Sequence, residues 1–160
     1  MGVTLLRVDD RLIHGQVVEG WVPFLKVDLV VVVSDAAATD EVQTALMKMA
    51  LPATVGLLVL SVADAPAALK APQMAGRSAL VLVPGPSEAL TLIEKGVAVD
   101  RVNVGGLHYT MGKVQLGRAL FLDEKDRLAL KALAAKGVRL EGRALPADAE
   151  ENLSAVLEGQ

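Results

Sequence analysis

Four charged side chains and a histidine crowd into Arg7-Val8-Asp9-Asp10-Arg11-Leu12-Ile13-His14-Gly15-Gln16, within an otherwise apolar N-terminal region. The imidazole of His14 is a nucleophile when one ring nitrogen lacks a proton, and a carboxylate such as Asp10 fixes the tautomer by accepting from the other nitrogen. Arg11 adds a planar donor fork that suits phosphate oxygens. A helix opening after Gly15, with Gln16 in its first turn, would turn backbone N–H groups and a positive field toward the same space. The chemistry so assembled is a nucleophilic imidazole beside a phosphate-binding site. A plainer reading makes His14 a partly buried histidine bonded to backbone and the charges solvated loop residues in ion pairs. On residue chemistry alone the two stand level.

The surrounding sequence says what would position these groups. Short β-branched and Leu-rich runs at Val3–Val8, Leu29–Val33, Val55–Leu60, Ala79–Val83, Val102–Val104 and Val138–Leu140 read as strands, and their continuous apolar character implies cover on both faces. Helical stretches lie between them. Ser61 to Asp64 reads as a capping box, Pro86 stands near a first turn, and Lys95-Gly96 is a stop signal. Asp123–Lys136 is a strong helix closed by Gly137, and Asp148 with Glu151 resembles a capping box opening a last short helix. The alternation predicts an α/β fold: one domain over residues 1–160, an open, mainly parallel twisted sheet with helices on both faces.

Such sheets bind ligands beyond the carboxyl ends of their strands, which singles out three loops: Asp9–His14, Ser34–Ala38 and Gly105–Gly112. Ser34 and Asp35 could orient groups near a phosphate, although a helix cap is the favoured reading of that pair. The third loop is flanked by glycines and holds His108, the sole tyrosine Tyr109, and the hydroxyl of Thr110. His108 reads as a metal ligand or acid-base group or, more commonly for such a position, as an ordinary surface histidine. Two histidines with scattered carboxylates make a poor metal constellation, so no metal or cofactor is expected.

Bulk properties narrow the function classes. The 160 residues suffice for one core; the chain is 52% hydrophobic but only 2% aromatic, so Val, Leu and Ala must fill it. A formal net charge of -3 without a basic patch argues against a nucleic-acid partner. There is no cysteine, which excludes thiolate chemistry and suits a reducing compartment. No export signal is read, and the longest apolar runs fall far short of the roughly 20 residues of a membrane-spanning helix, so a cytoplasmic protein without direct membrane insertion is expected.

The string Arg7 to Val17 closely resembles the N-terminal signature of the IIB domains of the mannose/fructose/sorbose family of the bacterial sugar phosphotransferase system. The likeness continues through Val32-Val33-Ser34-Asp35, Val102-Asn103-Val104-Gly105-Gly106, Gly112-Lys113, Asp123-Glu124-Lys125-Asp126 and Lys136-Gly137-Val138, spanning nearly the whole chain. It implies a phosphocarrier: the histidine matching His14 accepts a phosphoryl group from a phosphorylated IIA protein and passes it to a sugar during uptake through membrane IIC and IID subunits. It also implies that the residues matching Asp10 and Arg11 orient ring and phosphate, and that the third loop borders the site.

Two successive partners require an exposed, apolar-rimmed loop; Leu12, Ile13 and Trp21 are candidates for the rim, with Trp21 equally suited to the core. Members that move sugar often carry basic residues where this chain has Gly20, Leu29 and Thr110, which shifts phosphate stabilisation onto Arg11 and backbone donors. A regulatory module of the same fold that holds its phosphate, and a metal-assisted hydrolase using Asp9, Asp10, His14 and His108, are the competing readings. Composition neither requires nor excludes a homodimer.

Overall fold

The computed structural model describes residues 2–118 and 120–159. The chain runs β1 (Gly2–Asp9), a π-helical stretch Gln16–Trp21 leading into α1 (Val22–Leu25), β2 (Leu29–Val33), α2 (Asp35–Ala38), α3 (Glu41–Ala50), β3 (Gly56–Leu60) and α4 (Ala65–Lys70). After a 3-10 turn at Pro72–Gly76 come β4 (Ser78–Val83), α5 (Pro86–Glu94), β5 (Arg101–Gly106), β6 (Val114–Leu116), β7 (Leu120–Leu122), α6 (Glu124–Ala135), β8 (Arg139–Gly142), β9 (Glu151–Asn152) and α7 (Leu153–Glu158). All six expected strands are present. They form a parallel sheet in the order β3-β2-β4-β1-β5-β8, to which β9 adds an antiparallel edge. The β6–β7 hairpin forms its own small sheet, which the sequence reading did not separate from the loop.

Alternation along the strands builds two apolar layers. Leu6, Val8, Val31, Val33, Val81 and Val83 face one side, where Ala65, Leu92, Leu130 and Leu157 of α4–α7 cover them. Leu5, Val30, Val32, Leu80 and Leu82 face the other, beneath Val17, Trp21, Val22, Ala37 and Met47. The connection from β1 therefore leaves over one face and those from β4 and β5 over the other. It is at that divergence, beside the carboxyl end of β1, that sheets of this kind place their ligands.

Helix punctuation holds in most places. Pro86 occupies the first turn of α5, and Gly96 follows that helix at φ +93°. Asp123 and Asp126 form a reciprocal capping box on α6, with Gly137 past its end at φ +83°. Ser61 Oγ accepts from the N–H of Asp64 ahead of α4, the forward half of the expected box. The last helix differs: Asn152 caps α7, Glu151 lies in β9, and Asp148 instead accepts from the N–H of Leu145. The strand pairing of Glu151 with Gly142 outcompetes a helical turn there.

Candidate functional site

Arg7 and Asp9 are two residues apart on β1, so both point to the same face, the one covered by Trp21, while Val8 points to the other. Both are fully buried. In register with Arg7 stands Asn103 on β5, and in register with Asn103 stands Glu141 on β8. These three polar residues form a rung across the apolar sheet. Arg7 Nη1 donates to Asn103 Oδ1 and to the carbonyl of Arg143, and Nη2 donates to Asp9 Oδ2 and the carbonyl of Ala144, each of the last three at 3.0 Å. Asn103 Nδ2 donates onward to Glu141 Oε1 at 3.2 Å. The Trp21 ring lies 5.0 Å from the Arg7 guanidinium carbon, and its indole N–H donates to the Ala144 carbonyl. Arg7 fills the space above Gly105, where a Cβ would stand 1.9 Å from its guanidinium carbon; only glycine leaves room.

This frame delivers one carboxylate to the loop that carries His14. Asp9 Oδ2 receives His14 Nε2 at 2.8 Å, and Oδ1 receives the backbone N–H of Arg11 at 3.1 Å. Burial of Asp9 opposes its ionisation, but the His14 hydrogen bond, the Arg7 charge and the Arg11 N–H outweigh it, holding the carboxyl below its ordinary value of 3.8. An ionised carboxylate has no proton to give, so the bond requires hydrogen on His14 Nε2. The lone pair then lies on Nδ1.

Because the folded value is the lower one, this carboxylate stabilises the protein above about pH 4 and ceases to do so as pH falls through its folded value. Unfolding measured between pH 7 and 3 should therefore show a steeper acid loss in the wild type than in Asp9→Asn; parallel profiles would contradict the assignment.

The sequence expectation that Asp10 orients His14 is corrected: Asp9 does so. Asp10 lies past the strand end, where Oδ2 accepts the backbone N–H of His108 at 2.7 Å and Oδ1 meets its Nδ1 at 2.6 Å. Arg11 leans over the site half-exposed, its Nε 3.6 Å from Asp9 Oδ1 and its Nη2 steadied by Gln16 Oε1 at 2.9 Å. The N–H groups of Val17 and Val18 turn back to the His14 carbonyl, leaving those of Gly15 and Gln16 as the donors at the helix start. Gly15 borders open space, since a Cβ there would touch nothing within 4 Å. A π-helical turn follows, a distortion that recurs at functional sites.

Ser34 and Asp35 are engaged structurally. Ser34 Oγ caps α2 by accepting from Ala37, and Asp35 Oδ1 accepts from Val62 at 2.8 Å. Thr110 is exposed. Leu12 and Trp21 are core residues, leaving Ile13 half-buried at the rim together with the strongly exposed Tyr109 and Met111 on the loop anchored by His108. At Gly20 a Cβ would stand 3.1 Å from Leu145 Cδ2 and 3.4 Å from Pro146 Cδ, and Leu29 is buried at the start of β2. The four groups of the hydrolase reading resolve into two separate His–Asp pairs, His14 with Asp9 and His108 with Asp10.

The residues that sequence reasoning left without a role are Arg7, Asn103, Glu141 and Arg143. Part of the signal was present: Arg7 and Asn103 are polar residues set inside apolar strands, with Arg7 and Asp9 on one face by simple alternation.

The site is thus an imidazole held by a buried carboxylate beside an arginine fork and the amides of Gly15 and Gln16, at the carboxyl end of a parallel sheet. The model of the PTS system sorbose subfamily IIB component matches residues 3–160, and the chain belongs to that family. It is 37% identical over 157 residues to the PTS system fructose-specific EIIB component of Bacillus subtilis (strain 168), covering 98% of this chain and 96% of that protein. It is 39% identical to the mannose-specific EIIAB component of Escherichia coli (strain K12), spanning 92% of this chain and 46% of that longer protein. Among solved structures, the IIBSor domain of the sorbose permease from Klebsiella pneumoniae superposes with a TM-score of 0.94 at 32% identity, over 100% of this chain and 98% of that one.

Proposed function

We propose that the protein is a phosphocarrier of the sugar phosphotransferase system: His14 Nδ1 accepts a phosphoryl group from a phosphorylated IIA protein and passes it to a sugar held by the membrane IIC and IID subunits. The observation that carries this reading is the 2.8 Å bond from Nε2 to Asp9, which leaves Nδ1 as the nucleophilic nitrogen. Family membership supplies the reaction class.

In the first step the donor's N–P bond breaks as the His14 Nδ1–P bond forms. The entering imidazole gains positive character, which the ionised Asp9 stabilises through Nε2–H without taking the proton. Arg11 and the amides of Gly15 and Gln16 bind the phosphoryl oxygens, so their charge is matched at the moment of transfer. In the second step the Nδ1–P bond breaks as a sugar hydroxyl oxygen bonds to phosphorus; Nδ1 leaves with the bonding pair and the hydroxyl proton passes to solvent. The buried rung behind Asp9 keeps this geometry fixed while two different partners come and go.

Intact mass after incubation with a phosphorylated IIA donor tests the reading. Wild type and His14→Ala are compared with His108→Ala at end point; one acid-labile phosphate on the first and third, and none on the second, is expected. Phosphate uptake by His14→Ala would overturn it. Loss of that phosphate when the membrane subunits and sugar are added separates a transporter component from a regulator that keeps its phosphate.

A further inference from the structure

Three hydrogen bonds join Asp10 to the segment Gly106–His108. The N–H of Asp10 donates to the Gly106 carbonyl at 2.9 Å, and its two carboxylate oxygens take the backbone N–H and the ring Nδ1 of the single residue His108. Asp10 is the second residue of the tight turn in which Leu12 N–H returns to the Asp9 carbonyl at 3.0 Å. That turn holds Leu12 at φ +59°, a left-handed conformation that is strained for a leucine. Such a conformation persists only where its surroundings over-determine it. Arg11 and His14, the residues that must meet the phosphoryl group, lie on either side of this strained residue.

The other end of the clasp is equally fixed. Leu107 is buried, its carbonyl accepts the N–H of Phe121 at 2.9 Å, and Tyr109 packs edge-on against the Phe121 ring at 5.6 Å between centroids. His108 thus stands between the phosphorylation loop and a segment braced on the β6–β7 hairpin. Its ring also approaches the site itself: the point where a Gly106 Cβ would sit lies 3.3 Å from His108 Cε1 and 3.2 Å from Asp9 Oδ1.

We propose that His108 is a positioning residue for phosphoryl transfer: through its Nδ1 bond to Asp10 it locks the Asp9–Leu12 turn and so sets Arg11 and His14. This rests on the phosphocarrier reading above. The bond uses Nδ1, so the role belongs to that nitrogen and not to Nε2. Asparagine places its amide N–H where Nδ1 stands, and glutamine places its own where Nε2 stands, which allows the two nitrogens to be told apart.

The experiment is the rate of transfer from a phosphorylated IIA donor to wild type, His108→Ala, His108→Asn and His108→Gln, resolved into kcat and KM for the donor. Because His108 is a half-exposed loop residue, these variants are expected to fold, and far-UV and NMR spectra verify that. Misplacement of a reacting group lowers rates by factors of ten to a hundred, so His108→Ala is expected to lower kcat about tenfold with little change in KM. His108→Asn should recover most of the loss, and His108→Gln should not. Unchanged kcat in all three variants, rescue by glutamine instead of asparagine, or a loss carried by KM alone would each overturn the proposal. A wild-type protein that takes no phosphoryl group would instead overturn the reading beneath it.

Discussion

Asp9→Asn slows phosphoryl transfer onto His14 by up to roughly 10⁴-fold, the loss that follows when a buried carboxylate that sets an imidazole tautomer is replaced by its amide. Asp9 receives donors from Arg7 and Arg11 as well as from His14. With an amide whose oxygen stays at the Oδ1 position for the Arg11 N–H, the NH2 group takes the Oδ2 position, where it faces His14 Nε2 and also Arg7 Nη2. Nε2 must then accept, the ring hydrogen moves to Nδ1, and the attacking lone pair is lost. Single-turnover transfer from a phosphorylated IIA donor measures the rate, and nitrogen chemical shifts of the unphosphorylated ring report the tautomer. A rate within twofold of wild type would sink the role given to Asp9.

Arg7→Met destabilises the fold by roughly 3–5 kcal/mol, because it strands a buried carboxylate without its cation. For a chain of this size each kcal/mol moves Tm by about 2–4 °C, so a fall on the order of 10 °C is expected by calorimetry. The loss comprises more than the Asp9 pair, since Arg7 also serves Asn103 and the carbonyls of Arg143 and Ala144 and packs on Trp21. Lysine cannot replace it, being a point charge without the planar fork that reaches four acceptors. Gly105→Ala should reproduce the effect by driving a methyl group into the guanidinium. A loss of under 1 kcal/mol for Arg7→Met would contradict the picture of a buried polar frame.

The sheet was legible because a parallel strand covered on both faces leaves an uninterrupted apolar run; all five residues of β2, for example, are buried. Helix ends were legible where one local signal decides them, as at Asp123 with Asp126 and at Gly96. They were not legible at Asp148–Glu151, where β9 forms by pairing with β8, a contact between residues about ten apart in the chain that no local signal encodes.

The site divides in the same way. His14, Arg11 and the helix start after Gly15 are local features of one loop. The choice between Asp9 and Asp10 depends on where β1 ends, a boundary that sequence patterns place only to within a few residues. Once Asp9 is known to be the last residue of the strand, alternation with Arg7 directs it inward and Asp10 outward. The partner of Asp10 is 98 residues away on another loop, and the rung Arg7–Asn103–Glu141 exists only through strand register. Within the sequence those residues show merely as polar interruptions of apolar strands.

The central claim is that Asp9 holds Nε2 of His14 and leaves Nδ1 to carry the phosphoryl group. Phosphorus–nitrogen correlation NMR on the 15N-histidine-labelled phosphoprotein reads this directly. A phosphorus coupled to Nδ1 of His14, with the proton still on Nε2, is the predicted result; phosphorus on Nε2, or on His108, would contradict it.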